Sequence, residues 1–228
     1  LVKIWMHSGF LLVNSEKMSK SKGNFITIDD FLKKHSANTL RYLVLSHHYR
    51  SPINYTEELV QQTENSLSSL QEFEAKLNLV KQKGNPSLRS GRILPEAGKI
   101  RLKITQNLLV IDLEKMAADF HAAMSDDFNT PGALATIFIF INKYQKDIFN
   151  LPKQESTIIY KTTFNLLKIL GLEFKSQKIP EEILKLVEER EALRLTRDFS
   201  GADALRKKIL ALNVQVEDGL DASSWRRN

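Results

Sequence analysis

The 228-residue chain contains no cysteine. Disulfides and thiolate metal sites made from its own residues are therefore excluded. A cytoplasmic location is expected. Nor is there a long hydrophobic run. A helix that spans a bilayer needs about 20 consecutive apolar residues, and the most apolar stretch, Leu134 to Ile141, falls far short. No membrane partner is expected. The chain shows no basic-then-apolar leader pattern, no internal repeat and no low-complexity tract. It opens on Leu1-Val2-Lys3-Ile4-Trp5, which reads like the interior of a fold. A longer polypeptide that continues before Leu1 is the expectation. What is present is ordinary for a globular protein, 42% apolar and 26% charged residues, with length for two small domains and a sizeable core.

Charge is unevenly placed. Residues 1–55 hold eight Lys/Arg against three Asp/Glu and four of the five histidines. Residues 176–228 are balanced, ten against ten, so most of the net +6 sits near the start. Such a field suits a phosphate-rich partner. An ordinary solvated lysine surface gives the same count.

Periodicity predicts a mainly α protein. Residues 1–13 read as strand, turn, strand, with the turn at His7-Ser8-Gly9. Thr27 caps a short helix through Asp30 and turns Phe31 and Leu32 inward. Ser36 caps a second, with Leu40, Leu43 and Val44 as its apolar face. Residues 47–54, with Pro52, read as a loop. From Thr56, Leu59, Thr63, Leu67, Leu70, Phe73, Leu77 and Val80 recur every three or four positions, the period of one helical face. Residues 84–91 are a breaker cluster. A second long helix runs over 95–124, with Ile100, Ile104, Leu108, Ile111 and Phe120 on its stripe. Thr130-Pro131 reads as a capping hydroxyl followed by proline, and that helix is expected to reach about Asn150. Another, over 155–170, closes on Gly171. Four helices with modest connections predict an antiparallel bundle. After a linker at 176–180 come a helix to Thr196 and another from Ser200. A strand at Val214–Val216 is then expected to pair with Ser224–Arg226. This gives a stem region over 1–55, a helical domain over 56–175, and a small α+β domain over 176–228.

The richest chemistry is in Lys17-Met18-Ser19-Lys20-Ser21, followed by Lys22-Gly23-Asn24. Lysine is a compact cation on a flexible stem. Ser19 and Ser21 add hydroxyl donors, and Gly23 lets the backbone bend. Together they suit a polyphosphate whose charge grows as a bond to phosphorus breaks. A solvated lysine-serine loop is the bland reading.

The five residues spell KMSKS, a signature of class I aminoacyl-tRNA synthetases. Their flanks, Trp5-Met6-His7-Ser8-Gly9 and Gly23-Asn24-Phe25, resemble the cysteinyl-tRNA synthetase family in particular. So do Leu40-Arg41-Tyr42 and His48-Tyr49-Arg50-Ser51. Residues Met124 to Pro131 resemble that family's AMDDDFNTP motif. The segments Asp198–Asp203, Glu217-Asp218-Gly219 and Trp225-Arg226-Arg227 resemble its ending. The resemblance spans the chain in the family's order. It implies a bundle of the class Ia anticodon-binding type, preceded by the KMSKS-bearing stem region and followed by an anticodon-binding end. It implies an enzyme that activates cysteine with ATP and charges cysteine tRNA. A nucleotide-binding half and a zinc site, with ligands outside this chain, are implied as well, so the chain alone is expected to be inactive and a monomer.

On that resemblance Lys17 and Lys20 contact ATP phosphate, with Met18, Ser19 and Ser21 completing the loop. His7 reads as a turn residue or as a site residue. For RNA, where unstacked bases are read by aromatic planes and polar groups, the end of the chain offers Phe199, Asp203, Arg206, Asp218, Trp225, Arg226 and Arg227. Relatives often carry tryptophan where this chain has Phe199, which stacks but lacks the indole donor. Trp225 also reads as hairpin core, and Asp203–Arg206 as a surface pair. Asp126 and Asp127 read as negative charge ahead of a helix start rather than as metal ligands. A non-catalytic tRNA-binding module is one alternative. A cysteine ligase acting on an amino-sugar is another, against which the anticodon-type end argues.

Overall fold

The structure, a computed structural model, describes residues 3, 5–83, 96–146, 148, 151–174, 181–211, 214–218 and 223–227. It is mostly helical. Strands β1 (Leu11–Val13) and β2 (Glu16–Lys17) form a hairpin, followed by a 3-10 turn over Lys20–Lys22. Helices α1 (Ile28–Lys34) and α2 (Ala37–Leu45) lead to β3 (Ile53–Tyr55). Then come α3 (Glu57–Lys83), α4 (Glu96–Ser125), α5 (Thr130–Tyr144) and α6 (Lys153–Ile169). The end holds α7 (Glu181–Leu195), α8 (Phe199–Ala211), β4 (Val214–Asp218) and β5 (Ser223–Arg227). No helix among the described residues is long and apolar enough to cross a membrane.

Contacts divide the chain into two units. The first comprises Leu1–Gln71, Asn107–Tyr144 and Lys161–Phe174; the second comprises Glu72–Gln106, Gln145–Tyr160 and Lys175–Asn228. In the first, the sheet order is β2-β1-β3, with β1 antiparallel to β2 and parallel to β3. Behind the sheet Phe31, Leu43 and Val60 are buried together, with Ile53, Tyr55 and Leu59 packed on them. In the second unit α7 packs on α8, and α8 on β4, which pairs antiparallel with β5.

Several local predictions match. Thr27 Oγ1 accepts from the Asp30 N–H at 3.0 Å, and Ser36 Oγ from the Thr39 N–H at 3.0 Å. Each satisfies an orphan donor of a first turn. The α3 stripe is buried from Thr63 through Val80. Each large apolar member contributes about 1.5–3 kcal/mol of burial. Helix α6 closes as predicted on Gly171, at φ 71°. Gly171 N–H reaches Lys168 C=O at 2.9 Å, and Leu172 N–H reaches Leu167 C=O at 3.0 Å, the two bonds of a Schellman cap. β4 and β5 pair antiparallel, as expected, and Val216 stands opposite Trp225 in their register.

Other details differ. Residues 5–10 pair in no strand, and the hairpin lies further along, turning at Asn14 and Ser15. Ile53 and Asn54, expected in a loop, belong to the strand Ile53–Tyr55. Their parallel partner β1 lies some forty residues back, and local periodicity carries no sign of it. Leu32 and Val44 are exposed. In α2 the buried face is Thr39, Tyr42 and Leu43, spaced i, i+3, i+4, which leaves position 44 about 100° away. On α4 the inward stripe is Leu109, Leu113, Met116 and Phe120, whereas Leu108 and Ile111 face solvent. Four apolar residues in a row, 108–111, left the helix phase open. Asn129 rather than Thr130 caps α5, its Oδ1 accepting from Gly132 N–H at 2.9 Å. Asp198 rather than Ser200 caps α8, through Gly201 N–H at 2.9 Å. Helix α5 ends at Tyr144. The breaker cluster at 84–91 and the linker at 176–180 lie outside the described residues.

Candidate functional site

The lysine loop grows out of the β1–β2 hairpin. Asn14 and Ser15 carry φ of 49° and 67°, so the two-residue turn has both central residues in the left-handed region that matches strand twist. Asn54 on β3 pins it, its Oδ1 accepting from Ser15 N–H at 2.7 Å. Lys17 ends β2, and Met18 N–H still reaches Leu11 C=O at 3.2 Å. Lys20–Lys22 then form one 3-10 turn, with Lys22 N–H to Ser19 C=O and Gly23 N–H to Lys20 C=O. Gly23 reverses the chain at φ 70°, ψ 7°.

The three lysines of the loop have different partners. Lys22 Nζ donates to Glu16 Oε2 at 3.1 Å. Among the described residues Lys17 and Lys20 meet no carboxylate; their ammonium groups stand 4.5 Å from the Phe10 ring centroid and 5.5 Å from that of Phe25. Ser19 Oγ and Ser21 Oγ lie 3.2 Å apart. Lys17, Lys20 and Ser21 are exposed, while Met18 and Ser19 are partly covered. Asn24 joins the two sides of the loop, accepting from Ser19 N–H at 2.9 Å and donating to Lys17 C=O at 3.3 Å. His7 is exposed, its ring stacked at 11° to that of Trp5.

Sequence reasoning missed a second cluster. Asp127, at φ 49° in the α4–α5 turn, faces the His48-Tyr49-Arg50 loop. Tyr49 OH donates to its Oδ1 at 2.7 Å, and Arg50 Nε stands 3.1 Å from its Oδ2. Arg50 Nε also donates to Tyr49 OH at 2.9 Å. The Tyr49 hydroxyl, then the Asp127 carboxylate, holds the Arg50 guanidinium above its ordinary value. His48 Nδ1 accepts from Arg50 N–H at 3.3 Å, so its Nε2 carries the proton donated to Asp127 C=O at 3.1 Å. From this cluster Tyr49 C=O accepts from Gly9 N–H at 2.7 Å, and Phe10 C=O accepts from Ile53 N–H at 3.0 Å. The α4–α5 turn is thereby linked to the strand that leads into the lysine loop. The two segments lie nearly eighty positions apart in the chain, and their motifs carry no sign that they meet.

At the far end Phe199 opens α8 with 61% of its surface exposed. Asp203 and Arg206 are exposed on the same helix. Asp218 lies in β4 opposite Ser223. Trp225, Arg226 and Arg227 lie in β5 opposite Val216, Gln215 and Val214. Among the described residues no group of three or more His, Cys, Asp or Glu could hold a metal ion. These residues therefore offer no ligand set for the zinc that the resemblance implies.

Residues 1–65 match the model of the class I (C) tRNA synthetase catalytic domain, and residues 119–175 match that of the DALR domain. Together the two matches define the class as class I aminoacyl-tRNA synthetases. A cysteine–tRNA ligase of Thermococcus onnurineus is 34% identical over 235 residues, covering 99% of this chain and 47% of its own length. One from Bacillus thuringiensis (strain Al Hakam) is 34% identical over 230 residues, covering 99% and 46%. The chain belongs to the cysteine–tRNA ligase family, and it spans about half the length of these curated relatives. Among solved structures, the LeuRS–tRNA–LeuAMS complex of Agrobacterium radiobacter K84 is similar over 73% of this chain and 22% of its own, with 18% identity and a TM-score of 0.49.

Proposed function

We propose that this chain is the part of a cysteine–tRNA ligase that presents the KMSKS loop to ATP and holds the tRNA, within an enzyme longer than 228 residues. The observation that carries this reading is the division of labour among the lysines. Glu16 engages Lys22, while among the described residues no carboxylate meets Lys17 or Lys20 on their exposed loop. In the first step the cysteine carboxylate attacks the α-phosphorus of ATP, and the bond to the pyrophosphate oxygen breaks. Negative charge accumulates on the leaving pyrophosphate. Lys20, aided by Lys17, stabilises that charge more in the transition state than in the ground state. Ser19 and Ser21 supply hydroxyl donors. The second step transfers cysteine to the terminal ribose of cysteine tRNA.

The same reading divides the chain into a stem region over 1–55, a class Ia anticodon-binding bundle over 56–175 and an anticodon-binding end over 176–228. There Phe199 or Trp225 stacks on an unpaired base, Asp203 and Asp218 take base edges, and Arg206, Arg226 and Arg227 meet backbone phosphates. The enzyme is a cytoplasmic monomer, and its zinc is held by residues outside this chain.

The test has two arms. Lys20→Ala in the full-length enzyme is expected to slow ATP–pyrophosphate exchange by about 10²–10³; an unchanged rate removes the role of Lys20. This chain is expected to bind cysteine tRNA more tightly than anticodon-altered transcripts at every salt concentration. Equal binding with only a salt-dependent term would refute the anticodon readout.

A further inference from the structure

We propose that Asn24 is the positioning residue of the lysine loop, its side-chain amide setting the backbone from which Lys17 and Lys20 reach a nucleoside triphosphate. The inference rests on the phosphate reading of that loop and adds to it a residue that touches no substrate. One planar amide makes two contacts, one on each side of Met18. Its Oδ1 accepts from Ser19 N–H at 2.9 Å, and its Nδ2 donates to Lys17 C=O at 3.3 Å. The backbone bonds nearby do not do this work. Met18 N–H to Leu11 C=O ends the hairpin, and the Lys22 and Gly23 N–H groups bond within the 3-10 turn. Among the described residues, Asn24 is what joins the end of β2 to the start of that turn.

The reversal at Gly23 brings Asn24 back over the loop. A Cβ there would meet nothing within 4 Å, so glycine is needed for its φ of 70° rather than for space. Lys22 is meanwhile fastened to Glu16. The Asn24 amide and the Lys22–Glu16 pair thus fasten the loop from within, and the backbone that carries Lys17 and Lys20 has less freedom to lose when they meet phosphate. The amide chemistry is specific. Aspartate at 24 keeps an acceptor for Ser19 N–H but turns a carboxylate oxygen toward the Lys17 carbonyl. Alanine loses both contacts.

The experiment compares Asn24→Ala, Asn24→Asp and Lys20→Ala. In the 228-residue chain, Asn24→Ala is expected to speed amide exchange at Ser19 by about three- to tenfold, the worth of one hydrogen bond. Asn24→Asp is expected to retain the protection. In the full-length enzyme, both Asn24 variants are expected to lower kcat of ATP–pyrophosphate exchange about tenfold or more. The KM for cysteine and the thermal midpoint stay unchanged, which a general loss of structure would not allow. Wild-type Ser19 exchange in Asn24→Ala, or a wild-type kcat beside a crippled Lys20→Ala, overturns the proposal. A wild-type rate in Lys20→Ala instead overturns the phosphate reading beneath it.

Discussion

The Tyr49 hydroxyl donates to Asp127 Oδ1 at 2.7 Å from 78 positions away in the chain, and Arg50 closes on the same carboxylate. Asp127 sits at φ 49°, where aspartate and asparagine are the tolerated non-glycine residues. Asp127→Asn therefore keeps the backbone and removes the charge, and Tyr49→Phe removes only the hydroxyl. Each is expected to cost about 0.5–1.5 kcal/mol in urea unfolding. The double variant is expected to fall short of the sum by about 0.5 kcal/mol or more, as for residues in one network. Strict additivity would show that the contact has no energetic content.

Gly9 is needed for space. A Cβ there would lie 2.3 Å from Ser51 O and 2.8 Å from Pro52 N, both backbone atoms that cannot swing aside. Gly9→Ala is expected to cost about 1–3 kcal/mol or more, as overpacking does, and to expose the Gly9 amide to exchange. A variant as stable as wild type would mean that the 49–52 loop yields freely.

The phase of α4 is tested by neighbouring leucines. Leu109 is buried and Leu108 half exposed. Leu109→Ala is expected to destabilise by about 2–5 kcal/mol, and Leu108→Ala by about 0.5 kcal/mol or less. Chemical denaturation of the two variants decides it, and the reverse order restores the stripe first read from the periodicity.

Glu74 gives a pH prediction. It is buried, and its Oε1 accepts from Tyr160 OH at 3.2 Å. Burial holds its carboxyl above the ordinary value, with the Tyr160 hydrogen bond, Lys81 and Asn78 acting in the opposite sense. A raised carboxyl pKa means that the fold binds the proton more tightly than the unfolded chain. Its stabilising contribution is full below the unfolded value, about 4.3. It fades as pH rises through the folded value. Glu74→Gln keeps the acceptor and removes the charge. Its thermal midpoint is expected to exceed that of wild type at pH 7 and to match it at pH 4. Equal midpoints at both values would contradict the buried carboxylate's cost.

Features that depend on adjacent residues were legible. The Thr27–Asp30 and Ser36–Thr39 caps are three-residue events, and the Gly171 closure needs only a residue free to take positive φ. The α3 stripe was legible because polar residues separate its apolar ones. The α4 stripe was not, because Leu108-Leu109-Val110-Ile111 is apolar on every side.

The order of residues alone determined the helical character, the caps and the lysine loop, because chain neighbours set propensity, capping and local charge. It also determined the family, through motifs readable in order. Only the tertiary structure decided that β1 pairs with β3, that Asp127 receives Tyr49 and Arg50, and that Glu16 engages Lys22 while Lys17 and Lys20 meet no carboxylate among the described residues. The pairing and the Asp127 contacts join residues some forty to eighty positions apart. Their energies come from packing and hydrogen-bond geometry that no local pattern encodes. The lysine assignment spans few residues, but it depends on how the hairpin and the Gly23 reversal aim each side chain.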